Sequence, residues 1–547
     1  RPILAHNFRD ERPLRPLRHQ AADWLPAGVA LLVPVLFIPI SVDAYVLPRA
    51  AVTLAGGALL AGAGLVRGRW SLGRLRLPAL AVALAAVAAT VFSIAPAASL
   101  AGTYSRYESL PVRLAYLALF CGAAWLGERR RLAEGFLAGC GLVAAEAVYQ
   151  ALARVPFRPD GNLGQANLLG VLLAMAVPLA LDRARTAEPP ARRGWLALLA
   201  LLVAGLAVTT SRGAWVAALA GAGVLVAFLV PRRRLAPVLA GGAVLAVAAA
   251  ALLLASPLRH LNQDTGIARV GVWRDSLSVV ADRPLLGWGP DTMGLVLGRH
   301  QSADWEPGHN FDRAHSMPLD LAATQGLLGL AACAWLFALW WAGVWRRRGD
   351  PFVAGLAGAA AAYLAWALVN FDWAPATAAF WLLAGAAAPT AAGRGRRPVS
   401  TPHPGAPGSP TGGGAYPPLQ GGREKWRWLG AGAMVAAGLA LAVPPLAADM
   451  ELYAGHPDRA VALDPLQAHY HAVLGTPSGL RQAAALGDTD PNTYVALGDV
   501  EARAGHAEAA RAAYREALAR YPYDVTARQR LETAPPAAIA SPRAASG

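Results

Sequence analysis

Residues 194–230 read GWLALLALLVAGLAVTTSRGAWVAALAGAGVLVAFLV, two apolar runs broken by Thr209-Thr210-Ser211-Arg212-Gly213. Arg212 is the single charged side chain in the stretch, and each run has the roughly 17 to 25 residues that cross a hydrocarbon core. This is a helical hairpin in lipid, because backbone polar groups there must be satisfied within the segment and the alternation of a barrel strand is absent. On both sides of the hairpin the pattern continues, giving runs near 25–42, 48–66, 78–97, 111–127, 132–153, 164–181, 194–210, 213–230, 235–255, 317–344, 351–369, 373–391 and 428–447. The reading is an all-α polytopic membrane protein of about 12 to 13 transmembrane helices. With 55% hydrophobic and 15% charged residues in 547, against about 25% charged in soluble domains, the chain is excluded from the soluble class and from mainly disordered sequences.

The formal charge of +15 does not mark a nucleic-acid partner. All but one of the 49 basic residues are Arg, the exception being Lys425, and their positions alternate with topology. One set of loops carries Arg67, Arg69, Arg74 and Arg76, then Arg129 to Arg131, then Arg183, Arg185, Arg192 and Arg193, then Arg232 to Arg234, then Arg346 to Arg348. The alternate short loops hold only Arg106, then Arg154 and Arg158. The asymmetry assigns the first set to the cytoplasm and the long loop 256–316 to the other face. Cys121, Cys140 and Cys333 all lie in apolar runs, leaving neither a disulfide framework nor a zinc motif.

The expected organisation is a cytoplasmic tail at 1–24, a membrane domain at 25–391, a Gly- and Pro-rich cytoplasmic linker at 392–425, a last span at 426–447 and an outer domain at 448–547. The first span reads as a retained signal anchor. In the outer domain Tyr494, Leu497, Gly498, Ala510, Tyr514, Ala517 and Pro522 occupy the small and large positions of a tetratricopeptide-type repeat, after a degenerate, shortened companion. So little repeat buries little core alone, and the segment is expected to pack on the membrane domain or on a protein partner.

The candidate polar residues collect at the outer boundary. Arg212 is either a snorkelling helix-end residue or an anion clamp. Arg269 and Arg274 lie on an amphipathic stretch expected to form an interfacial helix ending at Pro284 to Pro290. Asp312, Arg313 and His315 lead into the span near Met317, and a histidine at a helix mouth suits general-base work. If helical, His309, Asp312 and His315 share an arc that admits a metal reading, although no further acid accompanies them. Asn162, Gln165 and Asn167 offer amides to sugar hydroxyls or to helix ends. Asp488 and Asp490 precede a repeat helix and read as a cap or turn, and Glu146 is an unexplained charge inside a span.

Taken in order, Gly161 to Asn167, Ser211-Arg212-Gly213, Arg269 with Trp273, Asp282 to Gly289, Asp312 to His315, Gln325 to Gly329 and Asn370 to Asp372 resemble the O-antigen ligase and polymerase superfamily across about residues 25–390. Ser316 departs from the pattern, since the family places Asn there. The resemblance implies a GT-C-like membrane glycosyltransferase of the bacterial cytoplasmic membrane, active on its outer face, without cofactor or metal. It implies a glycan donor on undecaprenyl diphosphate and a lipid, glycan or protein acceptor, with inversion at the anomeric carbon. His315 would take the acceptor proton and Arg212 and Arg269 would meet the diphosphate, with Arg106, Arg274, Asp312, Arg313, Asn162, Gln165 and Asn167 as substrate contacts. Protein O-oligosaccharyl transfer is the variant within the superfamily. Outside it stand a lipid or polysaccharide flippase, which needs charges near mid-span, and a scaffold displaying the repeat.

Overall fold

The computed structural model describes residues 17–68, 70–237, 240–241, 267–350, 352–389 and 421–534, with no strand among them. Most of the apolar run 235–255, the start of the long loop, most of the N-terminal tail and most of the linker fall outside the described residues. Helices α1 (Leu17–Val35), α2 (Val46–Val66), α3 (Arg76–Val91), α4 (Pro96–Ala101), α5 (Leu110–Leu126), α6 (Arg129–Leu152), α7 (Ala166–Thr186), α8 (Pro189–Val208) and α9 (Arg212–Leu229) come first. The long loop contributes α10 (Ile267–Asp282) and α11 (Met293–His300). Then come α12 (Met317–Arg346), α13 (Val353–Ala367), α14 (Ala374–Ala387) and α15 (Gly421–Tyr453).

Eight helices among the described residues are long and apolar enough to cross a membrane, and shorter apolar helices lie at Asp23–Val35, Leu110–Leu126, Val353–Ala367 and Ala374–Ala387. The protein is therefore a multi-pass membrane protein. Small residues set its packing, as expected where lipid gives no hydrophobic drive between helices. At the crossing of α9 and α13, a Cβ on Gly221 would stand 2.6 Å from the Gly358 carbonyl and one on Gly358 would stand 2.7 Å from that of Gly221. Any larger residue forces these backbones apart.

Several of the spans expected from hydropathy end earlier in the structure. The first helix ends at Val35, so 36–42 is not helical, and α3 ends at Val91, with α4 a separate short helix. More consequential, the span from Met317 is broken at Gly326, where φ is 68° inside α12. Residues 284–289 enter the break. The amides of Trp288 and Gly289 donate to the carbonyls of Ala323 and Thr324 (both 2.9 Å), and those of Leu327 and Leu328 donate to Pro284 and Leu285 (2.7 and 3.3 Å). Groups freed by the break are thus re-satisfied, which its place at the membrane requires. Gly287 (φ 67°) and Gly326 sit in such close quarters that a Cβ on Gly326 would overlap the Leu285 carbonyl. The loop motif Asp282 to Gly289 and the span motif Gln325 to Gly329 are one interlocked structure.

The C-terminal module continues from α15 through α16 (Pro457–Leu463), α17 (Ala468–Val473), α18 (Pro477–Leu486), α19 (Pro491–Arg503), α20 (Ala507–Arg520) and α21 (Val525–Thr533). Asp490 caps α19 as expected, accepting from the Asn492 amide at 2.9 Å. A Cβ on Gly498 would overlap the Tyr514 ring, the small-on-large contact of a helical repeat. The module docks on the rest of the protein. The face of α11 at Gly298 abuts the Arg520 carbonyl, Arg299 pairs with Glu516 at 3.2 Å, and the Gly308 amide donates to Tyr521 Oη at 3.0 Å.

Candidate active site

His315 closes an irregular segment just before α12, with φ of 50°. A left-handed histidine is held there by its neighbours. The Ala314 amide donates to Asp320 Oδ1 at 2.9 Å, the Met317 amide donates to the Asn370 carbonyl at 2.7 Å, and Trp273 Nε1 donates to the His315 carbonyl at 3.3 Å. The imidazole packs between Phe311 and Phe371, edge to face with each, with ring centroids at 5.6 and 5.1 Å. Residues 309–316 are not helical, so the arc behind the metal reading does not form. His309 is exposed, and no group of three or more His, Cys, Asp or Glu suited to a metal occurs among the described residues.

Asp312 is committed to Arg106, whose Nε and Nη2 reach Oδ2 and Oδ1 at 2.6 and 3.0 Å. The same guanidinium lies over Phe371 and Trp373, 5.1 and 4.7 Å from their centroids. Arg269 Nη1 donates to the Val369 carbonyl at 3.1 Å. Segment 369–373 therefore gathers Arg106, Arg269 and His315 although they are distant in sequence. Burial first, then the Arg269 cation, push His315 down to about 4, with Arg106 and His309 acting the same way and Asp312 opposing. The imidazole is neutral near pH 7 and able to accept a proton. Burial raises the Asp312 carboxyl, but Arg106 more than offsets this and holds it below its ordinary range.

A second tier of charge lies behind. Arg313 does not face this site; it forms a buried ion pair with Asp291, which also accepts from the amides of Thr103 (2.6 Å) and Glu108 (3.1 Å). Arg113 stands 3.5 Å from Asp372 and 4.0 Å from Glu108. Tyr363 donates to Asp372 at 2.9 Å and Tyr116 to Glu108 at 2.6 Å. Burial pushes Glu108 up to about 7. Arg113, Gln325, Tyr363 and Asp372, with Leu117 and Phe380, line a small cavity. Motif and hydropathy did not single out Arg113, Glu108, Asp291 or Asp320. Arg113 and Asp320 carried a usable signal, since each is a charge in the first turn of an apolar helix.

The remaining candidates spread along this end of the bundle. Arg212 is the first residue of α9, and that turn approaches the Asn370 side chain, 4.0 Å from a Cβ on Gly213. The preceding Thr210 is left-handed, with φ of 53°. Arg158 secures the turn, donating to the Thr209 carbonyl at 2.8 Å, Thr210 Oγ1 at 3.1 Å and Asn167 Oδ1 at 3.2 Å. Asn167 also accepts from Ser211 Oγ at 2.9 Å, so it braces the Arg212 turn. The Asn162 carbonyl accepts from the buried Arg49 at 3.0 Å, whose field also includes Glu146, Asp43 and Asp160. Gln165 precedes α7 and is exposed, as is Arg274 on α10.

Comparison with known proteins bears directly on this arrangement. Residues 197–334 match the O-antigen ligase family. That segment runs from α8 into α12 and contains Arg212, Arg269, His315 and both halves of the interlocked break. Arg106, Arg158 and Asn370 to Asp372 lie outside it. Residues 491–532, covering α19 to α21, match a tetratricopeptide repeat. No curated protein and no solved structure matches the chain significantly. The O-antigen ligase segment supports a general function in membrane glycan transfer, and the repeat is of a kind that binds proteins.

Proposed function

We propose that this chain transfers a glycan from an undecaprenyl-diphosphate carrier to an acceptor hydroxyl, in the manner of an O-antigen ligase or polymerase. The observation that carries the reading is that His315 and Arg269 both meet segment 369–373 at the mouth of α12, His315 on Phe371 and Arg269 on the Val369 carbonyl. The acceptor oxygen attacks the anomeric carbon as the bond to the diphosphate breaks, and the acceptor proton passes to His315. Arg212 and Arg269 meet the anionic leaving group, since guanidinium forks pair with phosphate oxygens and stay charged at working pH. Direct displacement inverts the anomeric centre, and no step calls for a metal.

Charge makes the donor part of the base. Arg269 is one cause of the low His315 proton affinity, so a diphosphate that neutralises Arg269 raises that affinity when the base is needed. Purified full-length protein with a lipid-linked glycan and acceptor tests the reading. His315→Ala is expected to lower transfer by about 10² to 10⁴-fold, Arg269→Ala by about 10²-fold or more, and Arg212→Lys to remain impaired because Lys lacks the two-pronged contact. Unimpaired transfer by a folded His315→Ala protein overturns the assignment.

The docked helical repeat favours a second reading, transfer to protein Ser or Thr. Deletion of the gene separates the two. Long chains or single units left on the carrier support ligation or polymerisation, respectively, and loss of glycoproteins alone supports the protein acceptor. On either reading we place the site on the outer face of a bacterial cytoplasmic membrane, following the arginine asymmetry of the loops.

A further inference from the structure

The segment Gly102 to Glu108 presents Arg106 to Asp312, and its backbone is unusual. Ser105 and Tyr107, on either side of Arg106, both have positive φ, at 64° and 54°. Left-handed non-glycine residues on both sides of one position persist only where surrounding contacts impose them. On the membrane-domain side those contacts include Asp291, which accepts from Thr103 and Glu108, Trp373 Nε1, which donates to the Ser105 carbonyl at 3.0 Å, and Arg113 Nε, which donates to the Glu108 carbonyl at 3.3 Å. Others come from the C-terminal part of the chain. Tyr104 Oη donates to Asp449 Oδ1 on α15 at 2.7 Å. The Tyr104 ring stacks on His469 at 3.9 Å and meets Tyr470 edge-on at 5.9 Å. Gln467 Nε2 donates to the Gly102 carbonyl at 3.2 Å. Asp449 is fully buried and also accepts from Ser41 Oγ (2.5 Å), the Asp43 amide (2.8 Å) and Tyr470 Oη (3.3 Å).

We propose that Tyr104 is a positioning residue through which the last membrane helix and the C-terminal helical module hold Arg106 against Asp312 and so set the surroundings of His315. A continuous chain of contacts runs from Tyr470 and Asp449 through Tyr104 to Arg106, Asp312 and the histidine segment. The helical module is thus a working part of the transferase site, in addition to any surface it offers a partner. The effect on catalysis rests on His315 acting as the base; the effect on the Arg106 segment does not.

Full-length protein in detergent or nanodiscs carries the test. Trypsin cleaves after arginine, and paired Arg106 in an ordered segment is a poor substrate. Tyr104→Ala is expected to speed cleavage after Arg106 by about tenfold, and Tyr104→Phe, which keeps the stack on His469 but loses the bond to Asp449, by a smaller factor. Asp449→Asn is the second approach from the other partner, should Tyr104→Ala fail to fold. Transfer assays are expected to show kcat reduced about tenfold in Tyr104→Phe with donor KM little changed. The acid limb of its pH–rate profile is also expected to move upward, because a displaced Arg106 no longer opposes protonation of His315 and releases Asp312, while Arg269 and His309 stay in place. Unchanged cleavage after Arg106 in Tyr104→Ala, or in both conservative variants, overturns the proposal. Faster cleavage with a full loss of transfer dependence on His315 retains the brace and rejects the base.

Discussion

The two ends of the helical bundle use the same residue type for different purposes. At the end whose loop charges point to the cytoplasm, Arg130 pairs with Glu134 at 2.9 Å while its side chain is 68% exposed. Such pairs contribute little energy in water; their value is in orienting helices. At the His315 end, Arg313 and Asp291 have side chains only 4% and 0% exposed, and Arg113 and Arg106 are locked to carboxylates from distant segments. A count of arginines thus reports topology, whereas the fully enclosed Arg313–Asp291 pair sets the His315 end apart from exposed pairs such as Arg130–Glu134.

Removing one partner of a deeply buried pair puts this contrast under the greatest load. Asp291→Ala or Arg313→Ala is expected to cost about 3–5 kcal/mol, because an uncompensated buried charge remains; unfolding in detergent measures it, and a loss under about 1 kcal/mol would place this end with the other. A smaller effect concerns pH. His315 has its proton affinity depressed to about 4, against about 6.5 for a free histidine. On the proposed mechanism the neutral imidazole is the active form, so at subsaturating donor the transfer rate is expected to persist as pH falls through 6.5 and to halve only near 4; a limb at 6.5 removes the tie between burial and base strength. The smallest effect is at the other end, where Arg130→Ala is expected to change stability by less than about 0.5 kcal/mol and to leave transfer unaltered.

Much of the fold was legible because hydropathy acts locally. A run such as 213–230 must be helical in lipid whatever its neighbours are. The break at Gly326 was not legible, since it depends on residues 284–289 arriving from the long loop to satisfy the freed backbone groups. Of the candidate site, Arg269 and His315 come together around segment 369–373, while Arg313 turns inward to Asp291 and Arg274 remains on the surface. Adjacent residues in one irregular segment face different ways, and without a regular period nothing in their spacing separates them.

Residue order alone was enough for the placement of most apolar helices, for the end of the bundle that collects the unusual polar residues, and for the helical repeat after the last span. Which of those polar residues share an environment emerged only from the packing of the helices. Arg106 and Asp312 meet across 206 positions, and Tyr104 and Asp449 across 345. Partition into lipid is a sum over neighbours along the chain. Ion pairing and the setting of a histidine's proton affinity depend on distance and dielectric in space, which exist only once the helices have packed.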